Sequence, residues 1–111
     1  MLKLVQRLHG KTASGQVQWE RTANEDVFQS SFPNYVVRVA VGPGPSSGST
    51  EYFLTIRDEG GAVIESTSDR AISQALIAPN AFTLMEELHT MARRQALGVD
   101  KALDSLLSEL E

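Results

Sequence analysis

Between Gln16 and Thr67 the chain alternates apolar and polar residues in five short runs, and the breaks between runs are too short to hold a crossover helix. Strands joined this closely run antiparallel, because a parallel pair needs a connection of a dozen or more residues. The runs are "QVQWER", "VFQSSF", "YVVRVAV", "EYFLTIR" and "AVIEST", separated by "TANED", the Pro33-Asn34 reversal, "GPGPSSGST" and "DEGG". Period-two alternation of this kind marks half-buried strands. Tyr35–Val41 is the strongest of them, being rich in β-branched residues that suit a pleated surface. The proline- and glycine-rich break reads as a mobile loop, and Asp58 to Gly61 as a hairpin turn.

Helical periodicity brackets this meander. Leu4, Val5 and Leu8, with Leu2 close by, line one side of a short helix over about 2–13, ending at Ser14-Gly15. Lys3, Arg7 and Lys11 fall largely on the opposite side. After the meander, "SDRAISQALIAPNA" reads either as a helical turn after Ser68 or as an irregular connection, with Pro79-Asn80 marking its end either way. A longer helix follows, with Leu84, Leu88 and Met91 on one side and Thr83 and Glu86 at capping-box spacing, and Gly98 ends it. Asp100 is placed to cap a last helix carrying Leu103, Leu106, Leu107 and Leu110 at i, i+3, i+4 and i+7.

The fold class that follows is α+β, one domain over residues 1–111. It comprises an N-terminal helix, a five-stranded antiparallel meander and two C-terminal helices packed on one sheet face. That face carries Val17, Trp19, Phe28, Phe32, Tyr35, Val37, Val39, Val41, Tyr52, Leu54 and Ile56. The reverse face is mostly Gln18, Glu20, Gln29, Ser31, Arg38, Thr55, Arg57 and Glu65, with Val36, Ala40 and Phe53 interspersed. A helix of fewer than about 12 residues is marginal in water, so the leucine stripe must dock. The short link after Gly98 favours docking on the chain's own core over a partner, sealing an edge or end of the sheet. Leu106→Ala then costs about 2–4 kcal/mol, as for a buried leucine.

Composition removes several function classes. There is no cysteine among the 111 residues, which excludes disulfides, thiol catalysis and zinc–thiolate sites. No run approaches the roughly 18 apolar residues of a membrane span, and the opening residues lack a signal-peptide core, so a cytoplasmic location is expected. The net charge of −4 is divided unevenly, +2 over residues 1–57 and −6 over 58–111. Nucleic-acid binding demands a clustered basic face and is disfavoured, since the only adjacent basic pair is Arg93-Arg94, in the acidic half.

No catalytic constellation is legible. No serine lies in a nucleophile elbow, and the glycine-rich loop lacks the lysine-serine/threonine ending of a phosphate loop. Glu86 and His89 have Glu-x-x-His spacing, but a di-iron bundle needs two copies plus two more carboxylates, so no metal or other cofactor is expected. Arg93 and Arg94 suit a helix C-terminus through the macrodipole, or alternatively form a docking point for an acidic partner or a phosphate.

The segments "QWERT", "SFPNYVV", "YFLTIRDEGGAVIES" and "LHTMARRQALGVDKALDSLLSELE" resemble a group of small bacterial proteins of uncharacterised function. They share a short helix, a Trp-Glu strand, a meander and an "ARRxALGVDxALxxLL" tail. The likeness covers nearly the whole chain apart from the "GPGPSSGS" loop. It implies the same element order and a bacterial cytoplasmic setting, and it assigns no catalytic or binding residue.

The functional expectation is a non-enzymatic binding or adaptor domain, acting through a protein surface on a partner or on a second copy as a homodimer. The candidate partner-binding residues are Val36, Arg38 and Phe53 on the reverse face, with Arg93 and Arg94 on the long helix. The alternative is a small-molecule-binding domain or enzyme with a cavity between sheet and helices, using Trp19, Tyr35, Tyr52 and His89.

Overall fold

The computed structural model of the chain describes residues 1–76 and 80–111. Its elements are α1 (Leu2–Ala13), β1 (Glu20–Arg21), β2 (Val27–Ser31), β3 (Tyr35–Pro43), β4 (Thr50–Asp58), β5 (Val63–Ser68), α2 (Asp69–Leu76), α3 (Ala81–Leu97) and α4 (Val99–Glu109). The five strands pair in sequence order, every pair antiparallel, so the meander and the α+β class stand as read. No helix among the described residues is long and apolar enough to cross a membrane.

Strand alternation sorts the side chains as the pattern dictates. Phe28 pairs with Val39, which pairs with Leu54, and all three are buried on the face beneath the helices. The α3 helix lies across β1 to β4, and α1 and α2 each pack against it. Val5 and Leu8 of α1, Ile72 of α2, and Met85, Leu88 and Ala92 of α3 complete one core with Trp19, Phe28 and Leu54. Removing such chains from water is the main favourable term in folding.

Several local expectations are corrected. Val17 and Trp19 are buried, but the strand that was expected to contain them is only two residues long. Their backbone is held by a side chain instead. Trp19 N–H donates to Gln95 Oε1, and Gln95 Nε2 donates to the Val17 carbonyl at 3.2 Å. The Trp19 indole N–H donates to Thr12 Oγ1 at 2.9 Å. This buried set ties α1, the chain leading into β1, and α3 together.

The 69–76 stretch is a helix. Its N-terminus is capped by Ser68, whose Oγ accepts from the Ala71 N–H at 3.1 Å, and Asp69 accepts from the Tyr52 N–H at 2.7 Å. The end of that connection expected at Pro79 lies outside the described residues. Helix α3 begins at Ala81, with Thr83 already inside it, so the capping box does not form. Asp100 likewise lies in the first turn of α4 and does not cap it. The glycine-rich loop is tied by its own serines, with Ser49 Oγ donating to the Ser46 carbonyl and accepting from the Ser46 N–H. The Asp58–Gly61 turn forms as expected, with Gly61 at φ +86° and Asp58 Oδ1 accepting the Ala62 N–H. A bulge at Ile56/Arg57 shifts register so that Glu65 pairs with Ile56, on the helix side of the sheet and not on the reverse face.

The largest correction concerns α4. Two helices after the meander, α2 and α3, pack on the sheet; α4 follows them, packs chiefly beside α3, and buries none of its residues. Leu106 is 58% exposed, whereas Leu54 is fully buried. The physical reason is that α1, α2 and α3 already occupy the space over the sheet, and the left-handed Gly98 (φ 65°) turns the chain away from it.

Two stability measurements follow. In dilute solution, Leu54→Ala should cost about 2–5 kcal/mol by urea unfolding, and Leu106→Ala less than about 0.5 kcal/mol. Equal costs would mean that α4 is docked after all. Gln95→Ala, which unpairs a buried N–H and a carbonyl together, should cost about 1–3 kcal/mol. An unchanged unfolding midpoint would remove Gln95 from the architecture.

Candidate functional site

Helix α4 is the most exposed apolar feature among the described residues. Its period brings Leu103, Leu106, Leu107 and Leu110 to one face, at 47, 58, 64 and 81% exposure. Gly98 serves both helices, since its N–H closes α3 and its carbonyl accepts the Ala102 N–H to open α4. Only a residue without a side-chain penalty at positive φ makes so short a corner. An Arg94–Asp100 ion pair spans it. At 100° per residue, Asp100 and Asp104 run along one flank of the leucine face, and Glu109 lies on the other.

A second apolar surface opens between α1 and the hairpin end of β2 and β3. It is a groove of about 360 Å³ whose exposed wall is wholly apolar. Leu4 and Leu8 of α1 form one side, and Phe32, Tyr35 and Ile56 form much of the other. Arg7 and Lys11 contribute their methylene stems to the wall and leave their charged heads at the rim. Phe32 and Tyr35, expected under the helices, are 41 and 49% exposed instead. Pro33-Asn34 carries the hairpin tip past the end of the helical layer, with Phe32 N–H donating to the Tyr35 carbonyl at 2.8 Å. Sequence alternation correctly gave the side of the sheet on which these residues lie. It carries no information on how far the helices reach, so the groove was not foreseen.

The five residues singled out from the sequence are not brought into one surface. Val36, Arg38 and Phe53 are half-buried on the outer face of the sheet, paired respectively with Arg57, Thr55 and Ala40. Arg38 Nε donates to Gln29 Oε1 at 3.0 Å, and the Phe53 ring covers Gly42. Arg93 and Arg94 are exposed on α3, across the sheet from them, and face different ways. Arg93 borders a hollow at the β1–β2 turn that also contains Glu25 and Asp26, while Arg94 is engaged by Asp100.

The polar groups considered for a cavity also disperse. Trp19 is committed to Thr12, and His89 is buried with Nε2 2.9 Å from the Asp26 carbonyl oxygen. The His89 ring packs against Phe28 and Tyr52, at centroid distances of 5.4 and 5.5 Å. Glu86 is exposed, so the Glu-x-x-His spacing does not turn both groups toward one point. Among the described residues no three potential metal ligands gather. His9 Nε2 lies 2.9 Å from Glu87 Oε1, a second tie between α1 and α3.

No protein-family model matches the chain, and neither a curated protein nor a solved structure does so.

The Tyr52 hydroxyl is raised above its ordinary value of 10.0, first by burial and then by the carboxylates of Glu86 and Asp69. The folded chain holds this proton more tightly than the unfolded chain. Its contribution is therefore full below the ordinary value and is lost as pH rises through the raised one. Stability measured across about pH 9 to 11 should fall, and Tyr52→Phe should flatten part of that fall. Identical profiles would show that Tyr52 plays no part in it.

Proposed function

We propose that this chain is a small, non-enzymatic protein-binding domain of the cytoplasm, with the leucine face of α4 as its grip. One observation carries the reading: four leucines stand on a single face of a helix in which every residue from Asp100 to Glu109 is exposed. Single exposed leucines are ordinary, whereas an aligned row on a projecting helix is the form in which amphipathic helices enter apolar grooves.

The commitments of the polar residues support it further. Trp19, Gln95 and His89 direct their hydrogen-bonding atoms into the fold. A small-molecule site combines an apolar pocket with a few convergent polar groups, and the groove beside α1 lacks such groups on its exposed wall. Protein binding is therefore the better reading than the small-molecule or enzymatic alternative. The resemblance to small bacterial proteins fits this setting and adds no activity to it.

The test compares the tagged full chain with its L106E/L107E variant by crosslinking capture in the cells that make it. Polypeptides retained by the wild type, untagged copies of the chain included, should be lost from the variant. Equal retention by both would end the reading of α4 as a grip.

A further inference from the structure

Resting on that reading of α4, we infer that the occupant of the leucine face is the groove beside α1 in a second copy of this chain. Each copy places its α4 in the other's groove about a two-fold axis. The two surfaces are complementary in kind. The groove exposes Leu4, Phe32, Tyr35 and Ile56, and α4 presents four leucines, so one seat removes both sets from water.

They are complementary in charge as well. Lys3, Arg7 and Lys11 recur every four residues along α1, which carries no acidic residue. Asp100, still 83% exposed beside its partner Arg94, and Asp104 recur at the same interval beside the leucines of α4, and Glu109 follows on the other flank. Four residues advance a helix by about 6 Å, so the cationic and anionic rows match in pitch when the helices lie side by side. Rim charges of this kind set register and orientation while the apolar seat supplies the affinity. Residues 99–111 carry Asp100, Asp104, Glu109 and Glu111 against the single Lys101, so the projecting segment is acidic where α1 is basic.

The chain's own groove is the wrong place for its own helix. The root of α4, at Asp100 and Lys101, borders Thr12 and Ala13 together with Met91 and Gln95 of α3. Arg7 and Lys11 lie on the other side of α1, about half a turn away at 100° per residue. α1 therefore stands between the root of α4 and the groove, and only one residue, Gly98, connects α4 to α3. Reciprocal exchange also follows from closure. A one-way seat leaves a free stripe at one end and a free groove at the other, and so propagates, whereas a two-fold pair satisfies both. A single seat for an eleven-residue helix is small against the roughly 1,000 Å² of a stable interface, and exchange doubles it.

The experiment is size-exclusion chromatography with light scattering on the purified full chain from about 1 to 200 μM, a range that brackets micromolar association. The expected species at the upper end has twice the 12.1 kDa chain mass. L106E/L107E should be monomeric throughout, with the circular dichroism and melting temperature of the wild-type monomer, because both positions are exposed. R7E/K11E should weaken the dimer at least about tenfold, D100K/D104K, which reverses the row facing them, should do the same, and the four changes combined should restore affinity to within about threefold. A wild-type monomer at 200 μM, a dimer that survives L106E/L107E, or a failure of the combined charge reversal would each overturn the inference. So would a monomer in which the α4 amides are strongly protected from hydrogen exchange, since that would be docking on its own chain. A monomeric wild type whose cellular capture is still lost in L106E/L107E would remove the second copy as occupant and leave α4 as the grip. A monomer with undiminished capture would remove both.

Discussion

The side-chain amide of Gln95 occupies the place of a missing strand. The chain from Val17 to Trp19 must be buried, because its side chains belong to the core, yet β1 begins only at Glu20. Burying a backbone N–H and carbonyl without partners costs more than the net gain of an ordinary hydrogen bond. Gln95 supplies both partners, an acceptor for Trp19 N–H and a donor for the Val17 carbonyl. The Trp19 indole is then fixed on Thr12, and α1 is fixed against α3. The position of α1 defines the groove, and the end of α3 at Gly98 defines where α4 departs. Both candidate interaction surfaces thus adjoin elements that one half-buried amide holds in place.

The parts of the fold that were legible from sequence are those in which a periodic pattern meets its own local geometry. β3 and β4 set Val37, Val39 and Leu54 in one buried row despite the apolar residues between them, and Asp58 to Gly61 has the residues its turn requires, so strand order and sheet face followed directly. Capping was less legible. Thr83 and Asp100 have side chains suited to helix starts, but neither is used so, while Ser68, which does cap, sat in a stretch with two readings. A side-chain cap is worth about 1 kcal/mol, which is easily outweighed by where the core places a helix.

The candidate surfaces were half legible for a related reason. The leucines of α4 announce an apolar face, but periodicity does not say which molecule covers it. Val36 and Phe53 drew attention as apolar residues on a polar face, and neighbouring strands leave them only half exposed. Phe32 and Tyr35 looked covered and are open. In each case the deciding quantity is the extent of a neighbouring layer, a tertiary property with no signature in the residue itself.

The bulge at Ile56/Arg57 bears on how copies of this molecule can meet. By turning Glu65 to the side of Ile56, it sets a carboxylate beneath the outermost strand, where any added strand would have to bury it. At the opposite edge β1 offers only two residues to pair with. Growth of the sheet by a sixth strand is therefore disfavoured at both margins, even though Val63 and Ile64 leave a greasy rim. Edges kept short or charged in this way work against ribbon-like pairing of one sheet with another.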